Sequence, residues 1–152
     1  MNPLFRLFQP SDFPELYAIE ELCFQPPFRF NRAFMRKLTS SSRHTTWIAE
    51  DNGQLAGFAI VDLKASTVPP AAYIQTIEVR PAMRKQGVGN ELLSRVESSA
   101  REASAHFIWL HVDTENKSAI RLYEAHGYMR QGREDHFYAR HRDAFIYRKA
   151  LV

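Results

Sequence analysis

The sequence predicts a single α/β domain in which strands and helices alternate around one sheet. Two observations lead to this prediction. The spacing of apolar residues changes repeatedly between the two-residue period of a strand and the 3.6-residue period of a helix. The length of 152 residues suits one hydrophobic core, and contents of 45% hydrophobic and 24% charged residues are ordinary for a globular protein. We therefore expect residues 1–152 to form one domain.

The first part of the chain predicts one short strand and two helices. Leu4 to Phe8 reads as a strand, and Ser11 or Asp12 can cap a helix whose apolar residues recur at helical spacing. Two adjacent prolines in segment 24–30 end this helix. Asn31 is placed to cap a second helix that runs to Leu38.

Three strands are predicted next. Thr45 to Glu50 and Leu55 to Leu63 are joined by a segment that contains Asn52-Gly53. Because Asn and Gly both tolerate positive φ, this pair predicts a tight hairpin. A third strand, residues 72–79, leads into a basic turn.

The remainder alternates helix and strand, and its last segment is charged and aromatic. The predicted elements are a helix at 87–103, a strand at 107–112, a helix at 116–125 and strands at 128–131 and 144–149. The stretch 133–143 is predicted to be the link between the last two strands.

The most informative stretch is the turn between the strand ending at Val79 and the following helix. It carries Gly87 and Gly89 one residue apart, with Arg84 and Lys85 before them. The unpaired N–H groups and positive dipole of a helix N-terminus bind anions, and a Cβ at a glycine would hold the anion off the backbone. The turn therefore predicts a site for the pyrophosphate of a nucleotide-containing cofactor, unless it is only a tight connection.

Two familiar phosphate-binding motifs do not fit this turn. A P-loop requires Gly-Lys-Ser/Thr, whereas Gly89 is followed by Asn90 and Glu91. A dinucleotide fingerprint requires a third glycine where Leu92 stands.

Composition limits the compartment and the partners. A net charge of +3 is too small to indicate nucleic-acid binding. Cys23 is the single cysteine, so no disulfide is predicted and a reducing, cytoplasmic compartment is expected. No long uncharged apolar run and no signal-like N-terminus occur, so we expect neither membrane insertion nor secretion. We expect no metal, and a monomer or homodimer.

Two linked motifs resemble the GNAT superfamily of N-acetyltransferases. The first is Arg84-x-x-Gly87-x-Gly89, preceded by Val79-x-Pro81. The second runs from Leu110 to Tyr128, with an Asn that opens a helix, a Tyr two turns later and then Gly-Tyr. The two occur in the family's order and spacing, and the resemblance is clearest from Tyr73 to Tyr128.

The resemblance implies a twisted, mixed sheet of six to seven strands with helices on both faces. It also implies that two central strands splay apart to admit the pantetheine arm of acetyl-CoA, which would be the co-substrate. The thioester would lie along the backbone of residues 77–79. The implied cofactor contacts are Ile77, Glu78, Val79, Arg84, Lys85, Gln86, Gly87, Val88, Gly89, Asn90, Asn116 and Tyr123.

The resemblance implies Tyr73 and His111 as the groups that accept the proton of the amine. Histone-acetylating members carry a glutamate base where this chain has Tyr73, and ribosomal-protein acetyltransferases carry one where it has His111. N-terminal acetyltransferases that act on methionine-starting chains carry Leu-His-Val with a Tyr-Ile-x-Thr strand, and both are present here. A water held between Tyr73 and His111 would then take the proton. His111 could instead be a hydrogen-bonded core histidine.

Strand alternation places Glu78 on the face opposite Tyr73, so we do not expect it to be the base.

Tyr123 shares a helix face with Asn116 and by resemblance would protonate the departing thiolate. Alternatively, Tyr123 belongs to the apolar stripe of its helix, and Asn116 is only an N-cap.

By resemblance, two loops, residues 24–30 and 133–143, form the walls of the acceptor channel. The candidate substrate contacts are Pro27, Phe28, Tyr73 and Tyr138. These aromatic residues could instead only cover the edge of the sheet.

The leading prediction is an acetyl-CoA-dependent N-acetyltransferase that acts on the α-amine of a protein or peptide N-terminus by direct transfer in a ternary complex. A small-molecule amine (an amino acid, polyamine or antibiotic) is the second possibility, and a non-catalytic acyl-CoA-binding sensor is the third.

Overall fold

One mixed seven-stranded sheet organises the part of the chain that the computed structural model describes, residues 2–65 and 68–152. The strands are β1 (Leu4–Leu7), β2 (His44–Asp51), β3 (Gln54–Ala65), β4 (Ala71–Val79), β5 (Phe107–Asp113), β6 (Met129–Ala139) and β7 (Arg142–Ala150), in the spatial order β1-β2-β3-β4-β5-β7-β6. The β4–β5 pair is parallel, and the other neighbouring pairs are antiparallel. The predicted fold class is confirmed.

Helices cover both faces of this sheet. They are α1 (Phe13–Cys23), α2 (Arg32–Ser40), α3 (Val88–Glu102) and α4 (Lys117–Ala125). Helices α1 and α2 bury their apolar residues with Phe58 and Ile60 on one face, while α3 and α4 pack against the other face with Ile74 and Ile108. None of the helices in the described ranges is long and apolar enough to cross a lipid bilayer.

Local signals set most of the element boundaries. Asn31 accepts the Phe34 N–H at 2.7 Å and caps α2 as predicted. Asp12 stands at the start of α1, but its carboxylate instead accepts the Gln9 N–H and pairs with Arg6. Asn52 and Gly53 adopt φ values of 53° and 77°, as the predicted hairpin turn requires.

The segment 133–143 differs from its prediction. It is not a loop, because β6 continues to Ala139 and turns tightly into β7 at Arg142. Asp143 accepts the His136 N–H at 2.8 Å and pairs with Arg133, so charged side chains hold this hairpin together. Most of β6 is exposed, so it lacks the apolar alternation that marks a half-buried strand.

An irregularity in β4 changes which residues share a face. Thr76 and Ile74 pair with successive residues of β3, so Gln75 between them has no partner of its own. Ile74 packs into the core on the α3 side, which places Tyr73 on the α1 side with Glu78. The prediction that Tyr73 and Glu78 lie on opposite faces is wrong because the extra residue reverses the alternation between them.

The β4–β5 pair separates where the resemblance implies a splay. Its register pairs Ala71 with Phe107 and ends at Tyr73 opposite Trp109, although both strands continue beyond that point. Strand β4 therefore presents its backbone from residue 74 to 79 along an open edge facing β5. Such an edge can pair with an extended ligand.

Candidate active site

The turn between β4 and α3 presents backbone N–H groups to solvent. A short 3₁₀ turn, Pro81–Met83, follows the strand, and Gly87 at the start of α3 has φ of 84°. A Cβ built on Gly87 would meet nothing within 4 Å, so the space beside this residue is open. The turn therefore has the conformation and the accessibility that an anion requires.

Gly89 plays a different part from Gly87. A Cβ on Gly89 would point into the protein, 3.7 Å from Leu122 Cδ2 and 3.9 Å from Val79 Cγ2. A Cβ on Gly87 would thus stand in open space and one on Gly89 inside the protein, so the prediction that a Cβ would hold an anion off the backbone is kept for Gly87 and gains no support from the geometry at Gly89. Gly89 lies in the first turn of α3, against α4 and the end of β4.

Arg84 is turned back toward the end of β4. Its Nε donates to the Val79 carbonyl oxygen at 3.0 Å, and a terminal nitrogen lies 3.4 Å from Cys23 Sγ. Burial raises the pKa of the Cys23 thiol, which keeps this sulfur a poor nucleophile at neutral pH.

The next predicted cofactor contacts, Lys85 and Gln86, are exposed beside the turn. Asn90 Oδ1 lies 2.7 Å from His126 Nε2, which links α3 to the end of α4.

Tyr73 and His111 meet at the point where β4 and β5 begin to separate. Tyr73 Oη lies 2.8 Å from His111 Nδ1. The two candidate residues are thus in direct contact, and no water is needed to bridge these two atoms.

The protonation states of this pair follow from burial. Burial raises the pKa of Tyr73 to about 12, so the hydroxyl keeps its proton at neutral pH. Burial also lowers the pKa of His111, with Glu134 opposing that effect. The Glu134 carboxylate lies 3.5 Å from Nε2 and favours the neutral tautomer with its hydrogen on that nitrogen, which leaves Nδ1 to accept from Tyr73 Oη.

Aromatic rings fix the orientation of His111. The Phe137 ring stacks on the imidazole at 3.9 Å between centroids with an 8° interplanar angle. Trp109 packs against Tyr73 and His111, with centroids 4.7 Å and 5.3 Å away. Sequence reasoning did not place Trp109 or Phe137 beside His111, although Trp109 stands two residues before His111 and so shares its face of β5.

Tyr123 and Asn116 are both placed by α4. Asn116 Oδ1 accepts the Ala119 N–H at 3.2 Å, so it is the N-cap of this helix. Tyr123 is buried against Tyr128, with the ring centroids 5.5 Å apart. Burial raises the pKa of Tyr123, with Tyr73 as a second cause, so its hydroxyl is protonated at neutral pH.

The two predicted acceptor loops, residues 24–30 and 133–143, contact each other. The Phe28 and Tyr138 rings are 4.9 Å apart, which joins the α1–α2 loop to the β6–β7 hairpin. The Arg142 guanidinium lies 4.6 Å from the Phe28 centroid and donates to Asp113 at 2.8 Å. Pro27 is exposed in the same loop. Arg142 at the start of β7 therefore contacts both the α1–α2 loop and the end of β5.

A buried carboxyl pair lies beneath the end of β4. Glu20 of α1 and Glu78 are 0% and 2% exposed and lie within hydrogen-bonding reach of each other. Phe30 N–H donates to Glu20 and the Thr76 hydroxyl to Glu78, which leaves the Oε1 atom of each glutamate without another partner among the described residues. Burial, together with Glu20, raises the pKa of Glu78 well above its usual range, so Glu78 takes up a proton at a higher pH than an ordinary glutamate.

The comparisons with known proteins point to one family. Residues 13–128 match the model of the Acetyltransferase (GNAT) family. N-alpha-acetyltransferase RimI of Mycobacterium tuberculosis is 33% identical over 113 residues, which cover 74% of this chain and 66% of that protein. N-alpha-acetyltransferase 60 of Xenopus tropicalis is 28% identical over an alignment of 130 residues, which covers 72% of this chain and 54% of that protein. The chain thus spans between about half and two thirds of these relatives.

Solved structures agree on the fold. Arabidopsis thaliana NAA60 in complex with acetyl-CoA superposes with a TM-score of 0.86 at 24% identity, covering 98% of each chain. The family model spans α1 to α4, and so includes the glycine turn, the open edge of β4 and the Tyr73–His111 pair. The resemblance seen in the two sequence motifs is confirmed, and the chain belongs to the acetyltransferase (GNAT) family.

Proposed function

We propose that this protein is a cytoplasmic enzyme that transfers the acetyl group of acetyl-CoA to the α-amine of a protein or peptide N-terminus. The observation that carries the proposal is the Tyr73–His111 contact of 2.8 Å at the mouth of the β4–β5 gap. Two relatives named N-alpha-acetyltransferases support the acceptor class.

The residues present fit acetyl-CoA as the donor. Gly87 stands at the start of α3 with open space beside it, which fits the binding of a pyrophosphate at the helix N-terminus. The unpaired edge of β4 at Ile77 to Val79 offers backbone groups to an extended pantetheine arm. Acetyl-CoA supplies the activated acetyl thioester.

The geometry supports a proton relay through Tyr73. As the amine nitrogen forms its bond to the acetyl carbon, its proton passes to Tyr73 Oη, which gives its own proton to His111 Nδ1. The carbon–sulfur bond breaks, and Tyr123 donates its hydroxyl proton to the departing thiolate. The raised pKa of Tyr123 keeps that proton available at neutral pH. The transfer leaves His111 as an imidazolium and Tyr123 as a phenolate, so His111 returns a proton to solvent and Tyr123 takes one up, which restores both groups.

An acetyl-transfer assay tests the proposal directly. The purified protein is given acetyl-CoA with a library of peptide N-termini and with small amines, and products are read by mass spectrometry. We expect acetylation of peptide α-amines. Transfer to small amines alone would replace the acceptor class, and no transfer with retained coenzyme A binding would identify a sensor module.

The His111→Ala variant tests the catalytic pair within the same assay. Loss of the proton acceptor should lower turnover about 100-fold or more, in the usual range for general base catalysis, with little effect on acetyl-CoA affinity. Tyr73→Phe keeps the ring and removes the relay hydroxyl, and it should give a loss of similar size. Unchanged turnover in both variants would remove the pair from the mechanism.

A further inference from the structure

Glu134 is a charged side chain beside His111 that the proposed relay does not use. Its Oε2 atom lies 3.5 Å from His111 Nε2, the nitrogen opposite the one that contacts Tyr73. The imidazole therefore sits between a hydroxyl on one side and a carboxylate on the other. This order of groups is not visible in the sequence, since the three residues belong to β4, β5 and β6.

The sheet register explains how Glu134 reaches the ring. His111 pairs with Ile146 on β7, and Glu134 pairs with Ala144 on the same strand. Because Ile146 and Ala144 are two residues apart, their side chains and those of their partners project from one face of the sheet. The Glu134 side chain thus crosses β7 diagonally above Ile146.

We propose that Glu134 is a positioning residue that holds the Nε2–H side of His111 and stabilises the positive charge formed when the ring takes the proton of the amine. This inference depends on the function proposed above. Among the described residues, the titratable groups that face the ring are Tyr73 from β4 and Glu134 from β6. The other neighbours, Trp109, Phe137 and Ile146, carry no charge.

Electrostatics gives the direction of the effect. Burial disfavours the imidazolium, while the Glu134 carboxylate favours it and so opposes the fall in the pKa of His111. Glu134 has an exposed side-chain fraction of 50%, so water screens the interaction. An exposed ion pair of this kind changes a protonation equilibrium by about threefold, or about half a pH unit.

A histidine NMR titration of the free protein tests the charge effect without any reaction. The His111 resonance, assigned by its loss in His111→Ala, is followed with pH in the natural protein, in Glu134→Gln and in Asp135→Asn. We expect the midpoint to fall by about half a pH unit in Glu134→Gln and to stay unchanged in Asp135→Asn. Asp135 is the matched control because it is adjacent, loses the same charge and contacts Arg133 at 3.1 Å instead of His111. An unchanged midpoint in Glu134→Gln overturns the proposal.

Kinetics on an accepted peptide with neutral side chains tests the catalytic part. For Glu134→Gln we expect the acid limb of the kcat profile to move to lower pH by about half a pH unit and the plateau turnover to fall about threefold, with KM nearly unchanged. A raised KM with an unmoved pH profile would make Glu134 a substrate contact and overturn the proposal. If the natural protein acetylates no amine at all, the proposed function fails and the positioning role fails with it. A shifted midpoint would then report only the ion pair.

Discussion

The two glycines of the phosphate turn should respond differently to the same substitution. In Gly87→Ala, an L-residue must adopt φ of 84°, which costs about 1–2 kcal/mol of the free energy of unfolding. In Gly89→Ala, the new methyl group makes ordinary contacts with Leu122 and Val79 at 3.7 and 3.9 Å. Because alanine favours a helix over glycine, that variant should be unchanged or up to about 1 kcal/mol more stable.

Binding should separate the two variants further. The Gly87→Ala methyl would occupy the open space before α3 and displace a bound pyrophosphate from the N–H groups. Losing one charge-assisted hydrogen bond costs about 1.5–3 kcal/mol, so the Kd for coenzyme A should rise about 10- to 100-fold. The Gly89→Ala methyl points into the protein, so the Kd for coenzyme A should stay within about twofold of the value for the natural protein. That is far less than the tenfold change that about 1.4 kcal/mol would produce.

Urea denaturation and calorimetry with coenzyme A measure the two effects separately. Gly89→Ala serves as the matched control, because it adds the same methyl group two residues away. Equal stability and equal Kd in the two variants would show that the conformation at Gly87 does not form the anion site. A larger loss of binding in Gly89→Ala would place the anion on the other side of the turn.

Two further predictions concern the end of β4. In Glu78→Gln, the amide imitates the protonated acid. Since the folded-state pKa of Glu78 is raised, the natural protein should lose stability as pH rises above about 4.3 toward that raised value, with a slope of at most about 1.4 kcal/mol per pH unit. The variant should lose less stability over the same pH range. Urea denaturation across pH checks this, and parallel curves for the two proteins would contradict the raised pKa of Glu78. In Gly57→Ala, the new Cβ would stand far inside contact distance of the Glu78 carbonyl oxygen and 3.2 Å from Val79 Cα. Because these backbone atoms cannot move easily, the free energy of unfolding should fall by about 1–3 kcal/mol. A thermal midpoint equal to that of the natural protein would refute the close packing of β3 on β4.

Local patterns in the sequence determined most of the secondary structure and the family. Asn31, Asn116 and the Asn52-Gly53 turn act through hydrogen bonds and φ preferences within a few residues, so their structural roles can be seen without tertiary information. The glycine turn and the Leu110 to Tyr128 motif likewise carry their signal in short stretches. The sequence alone therefore indicated an acetyltransferase fold with Tyr73 and His111 as candidates.

The tertiary structure decided the features that depend on register and on distant contacts. A single unpaired residue, Gln75, moved Tyr73 and Glu78 to one face, because side-chain alternation holds only while pairing is regular. The Glu20–Glu78 pair and the approach of Glu134 to His111 each join residues from separate elements, so no local pattern records them. What a carboxyl group does is set by its burial and its neighbours, and these exist only once the chain has folded.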